Sequence, residues 1–361
     1  MNKPDKKDLE RVKVGITQGD INGIGYEIII KTFHDQRMLD SITPVVYGVS
    51  KVASYHRKVL DMNEFNFNLV KNAEAANPKR PNIINCQEEE VKIELGKSTA
   101  IAGELAYEAL EKACDDLQKG HIDVMVTAPI NKKNIQSEKF HFPGHTEYLA
   151  EKFSSTDYLM LMISNNLRIG VITTHIPLAQ VSTELTKELI LNKLRIMNDS
   201  LKRDFRISRP RIALLGLNPH AGDEGLLGKE ENETIAPAIA EAFDDGILAY
   251  GPYAADGFFG SSNFNSFDGI LAMYHDQGMI PFKALSFESG VNYTAGLPFI
   301  RTSPAHGTAY EIAGKNQASP ESMRSAIFMA ADIFRNRQVY DKLNKNPLPM
   351  NEVTKENGEG Q

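Results

Sequence analysis

Ala272-Met273-Tyr274-His275-Asp276-Gln277-Gly278-Met279-Ile280-Pro281-Phe282-Lys283 follows directly from an apolar run that begins at Gly269. The run from Gly269 to Tyr274 reads as a buried strand, and it halts at a histidine, an acid, an amide and a glycine. In an open α/β sheet ligands bind outside the carboxyl ends of the strands, so polar groups gathered there mark a candidate site. The same form occurs twice more. Arg168–Thr173 ends in Thr174-His175, and Arg211–Leu217 ends in Asn218-Pro219-His220-Ala221-Gly222. If these strands share one parallel sheet, His175, His220 and His275 open onto one edge. Three neutral imidazoles suit a divalent transition metal with a coordination position left for substrate. Each histidine alone reads as an ordinary loop residue; the repetition carries the metal reading.

Outward from these strands the chain alternates strand and helix. Val12–Thr17 reads as a strand, followed by Gln18-Gly19-Asp20-Ile21-Asn22-Gly23-Ile24-Gly25 and a helix from Tyr26-Glu27. That layout resembles a phosphate loop, but the spacing matches neither dinucleotide nor Walker motifs, so a tight structural turn is the preferred reading. Asp20 and Glu27 remain candidates for supporting carboxylates. Pro44–Val49 is a strand, Ser50–Met62 an amphipathic helix, and Asn82–Cys86 a short strand. Ile101, Leu105, Leu110 and Leu117 recur at helical spacing within Thr99–Lys119, which Gly120 stops, and Asp123–Thr127 is a buried strand. This alternation predicts a parallel α/β architecture. Tyr158–Ile163 and Arg168–Thr173 form a hairpin around Asn165-Asn166. Thr186–Phe205, Glu231–Asp245 and Ser319–Arg335 read as helices, and Pro237 is tolerated in the second only within its first turn. The polar tail from Asn346 is expected to be disordered.

With 361 residues the chain can hold two domains. Its hydrophobic fraction of 42% and charged fraction of 24% are those of a soluble globular protein. The net charge of −7 argues against nucleic acid as a partner, and an anionic substrate must be held by local cations. Cys86 and Cys114 have neither metal nor redox spacing, which points to a reduced, intracellular protein. No signal peptide or membrane span is legible, so a cytoplasmic location is expected.

Local cations are present. Lys283, Asn292 and Arg301 fall near strand edges in apolar surroundings and suit a phosphate or carboxylate. His145 and Thr146, opening a helix in Phe142-Pro143-Gly144-His145-Thr146-Glu147, can add donors to an anion, although both also read as simple first-turn residues. His306-Gly307-Thr308-Ala309-Tyr310 begins a second glycine-punctuated loop.

Taken together, six blocks resemble the 4-hydroxythreonine-4-phosphate dehydrogenase family of pyridoxal phosphate biosynthesis, from about Val12 to about Arg335. They are Thr127-Ala128-Pro129-Ile130-Asn131-Lys132, the block ending in Glu147, Thr173-Thr174-His175-Ile176-Pro177-Leu178, Gly216 to Gly222, Tyr274 to Gly278, and Gly296-Leu297-Pro298-Phe299-Ile300-Arg301-Thr302. The resemblance implies two α/β/α domains with a central cleft, akin to isocitrate and isopropylmalate dehydrogenases. The first domain would comprise 1–135 and 290–361, on the dinucleotide side. The second, 136–289, would bind metal and dimerise. It also implies a homodimer whose active sites are completed by the partner subunit. His175, His220 and His275 would hold one divalent ion (zinc, magnesium or cobalt). His145, Thr146, Lys283, Asn292 and Arg301 would bind a phosphorylated small molecule, and the loop at His306 and Gly307 would bind NAD or NADP.

The implied reaction is oxidation of 4-phosphohydroxy-L-threonine to 2-amino-3-oxo-4-phosphooxybutanoate, which decarboxylates to 3-amino-2-oxopropyl phosphate. Asp256 is the first candidate for the base and Lys132 the second. Ile21 and Tyr26 stand where the family usually has prolines, and Ala254-Ala255-Asp256-Gly257 departs from its usual block. Oxidation of 4-phospho-D-threonate or 4-phospho-D-erythronate therefore stays open. A phosphate acetyltransferase-like enzyme, or a binding module for phosphorylated metabolites, has no use for three strand-end imidazoles.

Overall fold

The computed structural model describes residues 11–286 and 288–346. The tail beyond Asn346 and the charged start of the chain lie outside the described residues. The described chain forms twelve strands: β1 (Val12–Thr17), β2 (Ile42–Gly48), β3 (Asn68–Val70), β4 (Asn82–Asn85), β5 (Val124–Thr127), β6 (Leu159–Ser164), β7 (Leu167–Thr173), β8 (Arg211–Leu215), β9 (Leu248–Tyr253), β10 (Gly269–Tyr274), β11 (Val291–Ala295) and β12 (Arg301–Pro304). They make one continuous sheet in the order β3-β4-β2-β1-β5-β12-β11-β6-β7-β10-β8-β9. The α/β class expected from the alternation is the one observed.

Six strands, β3 through β12, run parallel to one another. Three antiparallel steps follow, β12 to β11, β11 to β6 and β6 to β7. Beyond them β7, β10, β8 and β9 are again mutually parallel, but they run opposite to the first six. The carboxyl ends of the two parallel sets therefore lie toward opposite edges of the sheet. The expected hairpin supplies one of the reversing steps, with Asn165 at φ 50 in its two-residue turn. The expected adjacency of the histidine-bearing strands also holds, since β10 pairs with β7 on one side and β8 on the other.

Helices cover the sheet because their apolar stripes match its faces. Ala100–Gln118 buries Leu105, Ala109, Leu110, Ala113 and Cys114, and Thr99 caps it by accepting from the Ala102 N–H. Pro237 falls at the start of an α segment, Ala236–Asp244, immediately after a π turn at Glu231–Ile235. The last helix is longer than expected, running from Glu321 to Leu343.

The reversal of the sheet is fastened by a buried ion pair. Arg337 Nε on the last helix donates to Asp204 Oδ1 at 2.7 Å, and Ser200 donates to Oδ2 at 2.7 Å. Tyr293 of β11 donates its hydroxyl to the same carboxylate. Asp204→Ala would strand the Arg337 guanidinium in a dry site, for which a loss of about 3–5 kcal/mol is expected. Urea denaturation checks it; a loss below about 1 kcal/mol, the scale of an exposed pair, would contradict this account.

Candidate active site

A cleft of about 280 Å³ lies over the reversing strands. Alternate residues of a strand share a face, so Met160 and Met162 of β6, and Arg301 and Ser303 of β12, line it together. The segment after β5 brings Lys132, and the helix His145–Lys152 brings its first residues. The ends of β7 and β10 bring His175 and His275. Lys283, Asn292, His306 and Gly307 also line it. Of the twelve residues expected at the site, ten thus share one cavity.

Its innermost feature is an unpaired guanidinium. Arg301 is 3% exposed, and burial pulls its pKa down to about 10, with Glu147 opposing weakly. Its Nε and Nη2 donate to Thr127 Oγ1 at 3.1 and 2.7 Å. Nη2 also lies 3.2 Å from His145 Nδ1. A guanidinium can only donate, so His145 Nδ1 is the acceptor and the ring proton is on Nε2. That Nε2 is buried and has no partner. Burial, followed by the charges of Arg301 and Lys132, holds His145 well below its ordinary pKa, so the ring is neutral. Arg301 and the His145 Nε2–H are thus donors awaiting an anion. Lys283 is a further cation on the cleft with no carboxylate partner among the described residues. The Asn292 Oδ1, buried and unpartnered, supplies an acceptor.

Two of the expected metal ligands have a carboxylate on Nδ1. His175 Nδ1 is 3.0 Å from Glu147 Oε1, and His275 Nδ1 is 2.7 Å from Asp276 Oδ1. A carboxylate on Nδ1 fixes the tautomer that leaves Nε2 as a lone-pair donor, the usual arrangement behind a metal-binding histidine. Burial raises the Glu147 pKa, but the His175 hydrogen bond and its own backbone N–H outweigh this and hold the carboxyl below its usual range. The two rings stand 6.1 Å apart, and Lys132 Nζ lies 3.5 Å from His175 Nε2. Chemically, the His275 Nε2 lone pair, the His175 Nε2 reached by Lys132, and an anion receptor beside them fit a metal-assisted reaction on an anionic substrate.

His220 and Asp256 are not in the cleft of this chain. His220 is exposed on a turn, Pro219–Gly225, whose residues His220 to Glu224 all take left-handed backbone angles. Glu231 holds that turn by accepting from the Asn218 N–H at 2.7 Å. Asp256 is exposed on the short helix Ala255–Gly260, which packs against the same turn. Among the described residues no three His, Cys, Asp or Glu side chains converge on a metal-sized position.

His306 closes the other end. Its Nδ1 faces the Gly307 carbonyl at 3.1 Å, so Nδ1 carries the proton and the buried, unpartnered Nε2 is an acceptor. Burial lowers its pKa. Sequence reasoning passed over Thr127 and Glu147, which stood inside quoted motifs; their partners come from distant strands and could not be read locally. Glu27 lies away from the cleft, bound to Lys31 and the Ala318 N–H.

Comparisons with known proteins place the chain in a family. Residues 40–330 match the family described as pyridoxal phosphate biosynthetic protein PdxA. A 4-hydroxythreonine-4-phosphate dehydrogenase from Bacteroides thetaiotaomicron is 57% identical over 339 residues, covering 94% of this chain and 93% of that protein. The crystal structure of a 4-hydroxythreonine-4-phosphate dehydrogenase from Klebsiella pneumoniae superposes with a TM-score of 0.76 at 36% identity, covering 91% of this chain and 99% of that one. A protein from Oceanobacillus iheyensis, provisionally named D-threonate 4-phosphate dehydrogenase, is 37% identical over 324 residues, covering 89% of this chain and 97% of that protein.

Proposed function

The chain belongs to the 4-hydroxythreonine-4-phosphate dehydrogenase family, and from that premise we propose that it oxidises 4-phosphohydroxy-L-threonine with NAD or NADP. The product, 2-amino-3-oxo-4-phosphooxybutanoate, is a β-keto acid that loses carbon dioxide to give 3-amino-2-oxopropyl phosphate. The observation that carries this reading is the anion receptor: a buried guanidinium without a carboxylate, beside a neutral histidine of the same cleft whose one N–H is buried and without a partner.

In the proposed mechanism Arg301, His145 and Thr146 grip one anionic end of the substrate, and Lys283 with the Asn292 amide N–H grips the other. Held at both ends, the secondary hydroxyl lies toward Lys132, His175 and His275. When bound, a divalent ion such as zinc, magnesium or cobalt polarises that hydroxyl, and a nicotinamide dinucleotide accepts the hydride. His175 and His275 are the ligands this chain offers, through Nε2 atoms that Glu147 and Asp276 leave unprotonated; on His175 a metal would displace the Lys132 contact. Lys132 is the base candidate already in the cleft. Asp256 reaches it only from a second copy. His306 and Gly307 form the wall assigned to the dinucleotide.

We further assign a homodimer with shared sites. Leu178, Leu226 and Ile280 are 71%, 79% and 67% exposed, each a few residues past one of the three strand-end histidines. Exposed apolar side chains beside the strand-end histidines are what a symmetric contact would cover. The chain divides, on this proposal, into 1–135 with 290–361 on the dinucleotide side and 136–289 on the metal and dimer side. No helix among the described residues is long and apolar enough to cross a membrane, and we assign the enzyme to the cytoplasm.

A second reading has a specific basis in the relative named for D-threonate 4-phosphate, which presents the same two anionic ends. Absorbance of the reduced nicotinamide, with metal-loaded enzyme and each substrate offered separately, decides between them. Reduction with 4-phosphohydroxy-L-threonine is expected. Reduction with 4-phospho-D-threonate alone would move the substrate assignment, and silence with both would overturn the dehydrogenase reading.

A further inference from the structure

We propose that Asp20 is a positioning residue that locks the dinucleotide wall of the cleft to its catalytic wall. The proposal rests on the assignment of the His306 loop to the dinucleotide. Asp20 is 1% exposed and has no ion-pair partner among the described residues. Its carboxylate is held instead by three neutral donors. Oδ2 accepts from the Tyr310 hydroxyl at 2.7 Å and from Asn134 Nδ2 at 2.8 Å, and Oδ1 accepts from the Asn22 N–H at 2.9 Å.

Those donors come from two separate walls. Tyr310 lies three residues beyond Gly307, in the loop that closes one end of the cleft. Asn134 lies two residues beyond Lys132, in a turn that Asn131 ties by accepting from the N–H groups of Lys133 and Asn134. The backbone around Asp20 makes the same two attachments. Its own N–H donates to the Pro129 carbonyl at 2.9 Å, and Ile24 N–H donates to the Thr308 carbonyl at 3.1 Å. The glycines follow from this closeness. Gly19 has φ +68, and a Cβ there would fall 2.4 Å from the Pro129 oxygen; one at Gly23 would fall 2.8 Å from the Thr308 oxygen. The turn between β1 and its helix is thus a clasp between walls, and a carboxylate suits its centre because both side-chain donors meet one oxygen. An asparagine that keeps its oxygen on Tyr310 and Asn134 turns its amide against the Asn22 N–H and leaves both walls attached, so alanine is the substitution that releases them.

Losing one hydrogen bond to a buried charge should loosen the His306 loop and raise the dinucleotide KM about tenfold, leaving the KM of the phosphorylated substrate within about twofold. Asp20→Ala and Tyr310→Phe cut the clasp from its two sides. The double variant should be no worse than the weaker-binding single, as for two groups in one interaction. Hydrogen exchange of residues 306–315 should quicken in both singles and slow again when dinucleotide is added. Should Asp20→Ala fail to fold, Tyr310→Phe carries the same measurements from the loop side. An unchanged dinucleotide KM, an equal rise in both KM values, or additive effects in the double variant would overturn the positioning role. His306→Ala separates this from its premise. If that variant leaves dinucleotide affinity unchanged by calorimetric titration, it is the cofactor assignment of the wall that fails.

Discussion

Arg301→Met is expected to lower kcat/KM about a thousandfold, the scale of removing one side of a buried charge interaction, while making the ligand-free protein more stable. The two effects have one cause. The guanidinium is buried with a threonine hydroxyl and an imidazole as its hydrogen-bond partners, and burial pulls its pKa down to about 10 against the Glu147 charge. A cation whose pKa falls on folding opposes folding wherever both states are protonated. The sign follows from proton counting: between about 10 and the unfolded value the unfolded chain binds more protons, so stability rises with pH there, and at neutral pH the whole penalty stands. The depression corresponds to a penalty on the order of 3 kcal/mol. Methionine removes it and fills similar volume. Thr127 and the His145 Nδ1 then lose a donor, at about 1 kcal/mol each, so a net gain of about 1 kcal/mol is expected. Thermal unfolding without ligand checks it. Inorganic phosphate should raise the unfolding temperature of the parent protein and leave that of the variant unchanged. A variant both inactive and less stable would mean that Arg301 is a structural residue and the anion receptor has been misplaced.

The same residue marks how far the sequence could be read. Arg301 is visible as a cation between apolar neighbours, and His145 as a histidine at a helix start. That neither has a carboxylate partner is a statement about everything else in the fold, and no local pattern carries it. The three histidine strands were legible because each one writes its own strand and its own ending, and β7, β10 and β8 are indeed neighbours. The reversal of the sheet was not. It depends on β11 inserting between β12 and β6, a pairing between residues more than a hundred positions apart, and strand composition is blind to direction. Asp20 shows the opposite limit. Its glycine-rich surroundings resembled a phosphate loop, whereas the glycines are required by two carbonyl oxygens that press on the turn from separate walls.

His220 and Asp256 are the expected site residues missing from this chain's cleft, and they sit on adjoining elements. Two independent misplacements would leave them in unrelated positions. One symmetric contact, bringing the Pro219–Gly225 turn and the Ala255–Gly260 helix to a second copy, would deliver both at once. This predicts complementation between inactive proteins. Arg301→Met destroys a cleft, and His220→Ala removes the residue lent to the neighbour's cleft. In a mixed dimer with shared sites, the cleft of the His220→Ala chain is intact and receives an intact His220 from its Arg301→Met partner. The other site carries both lesions. Random exchange puts half of the dimers in the mixed state with one working site of two, so the unsorted mixture should recover about a quarter of the parent activity and the purified mixed dimer about half. If each chain builds its own site, every site in the mixture carries a lesion and activity stays at the level of the single variants. An active His220→Ala homodimer would instead remove His220 from the metal set. Co-expression of the two variants under separate affinity tags, with tandem purification and an assay of the mixed species, distinguishes the three results. Metal content adds a second readout: mixed dimers should hold one ion at full affinity where His220→Ala homodimers hold none.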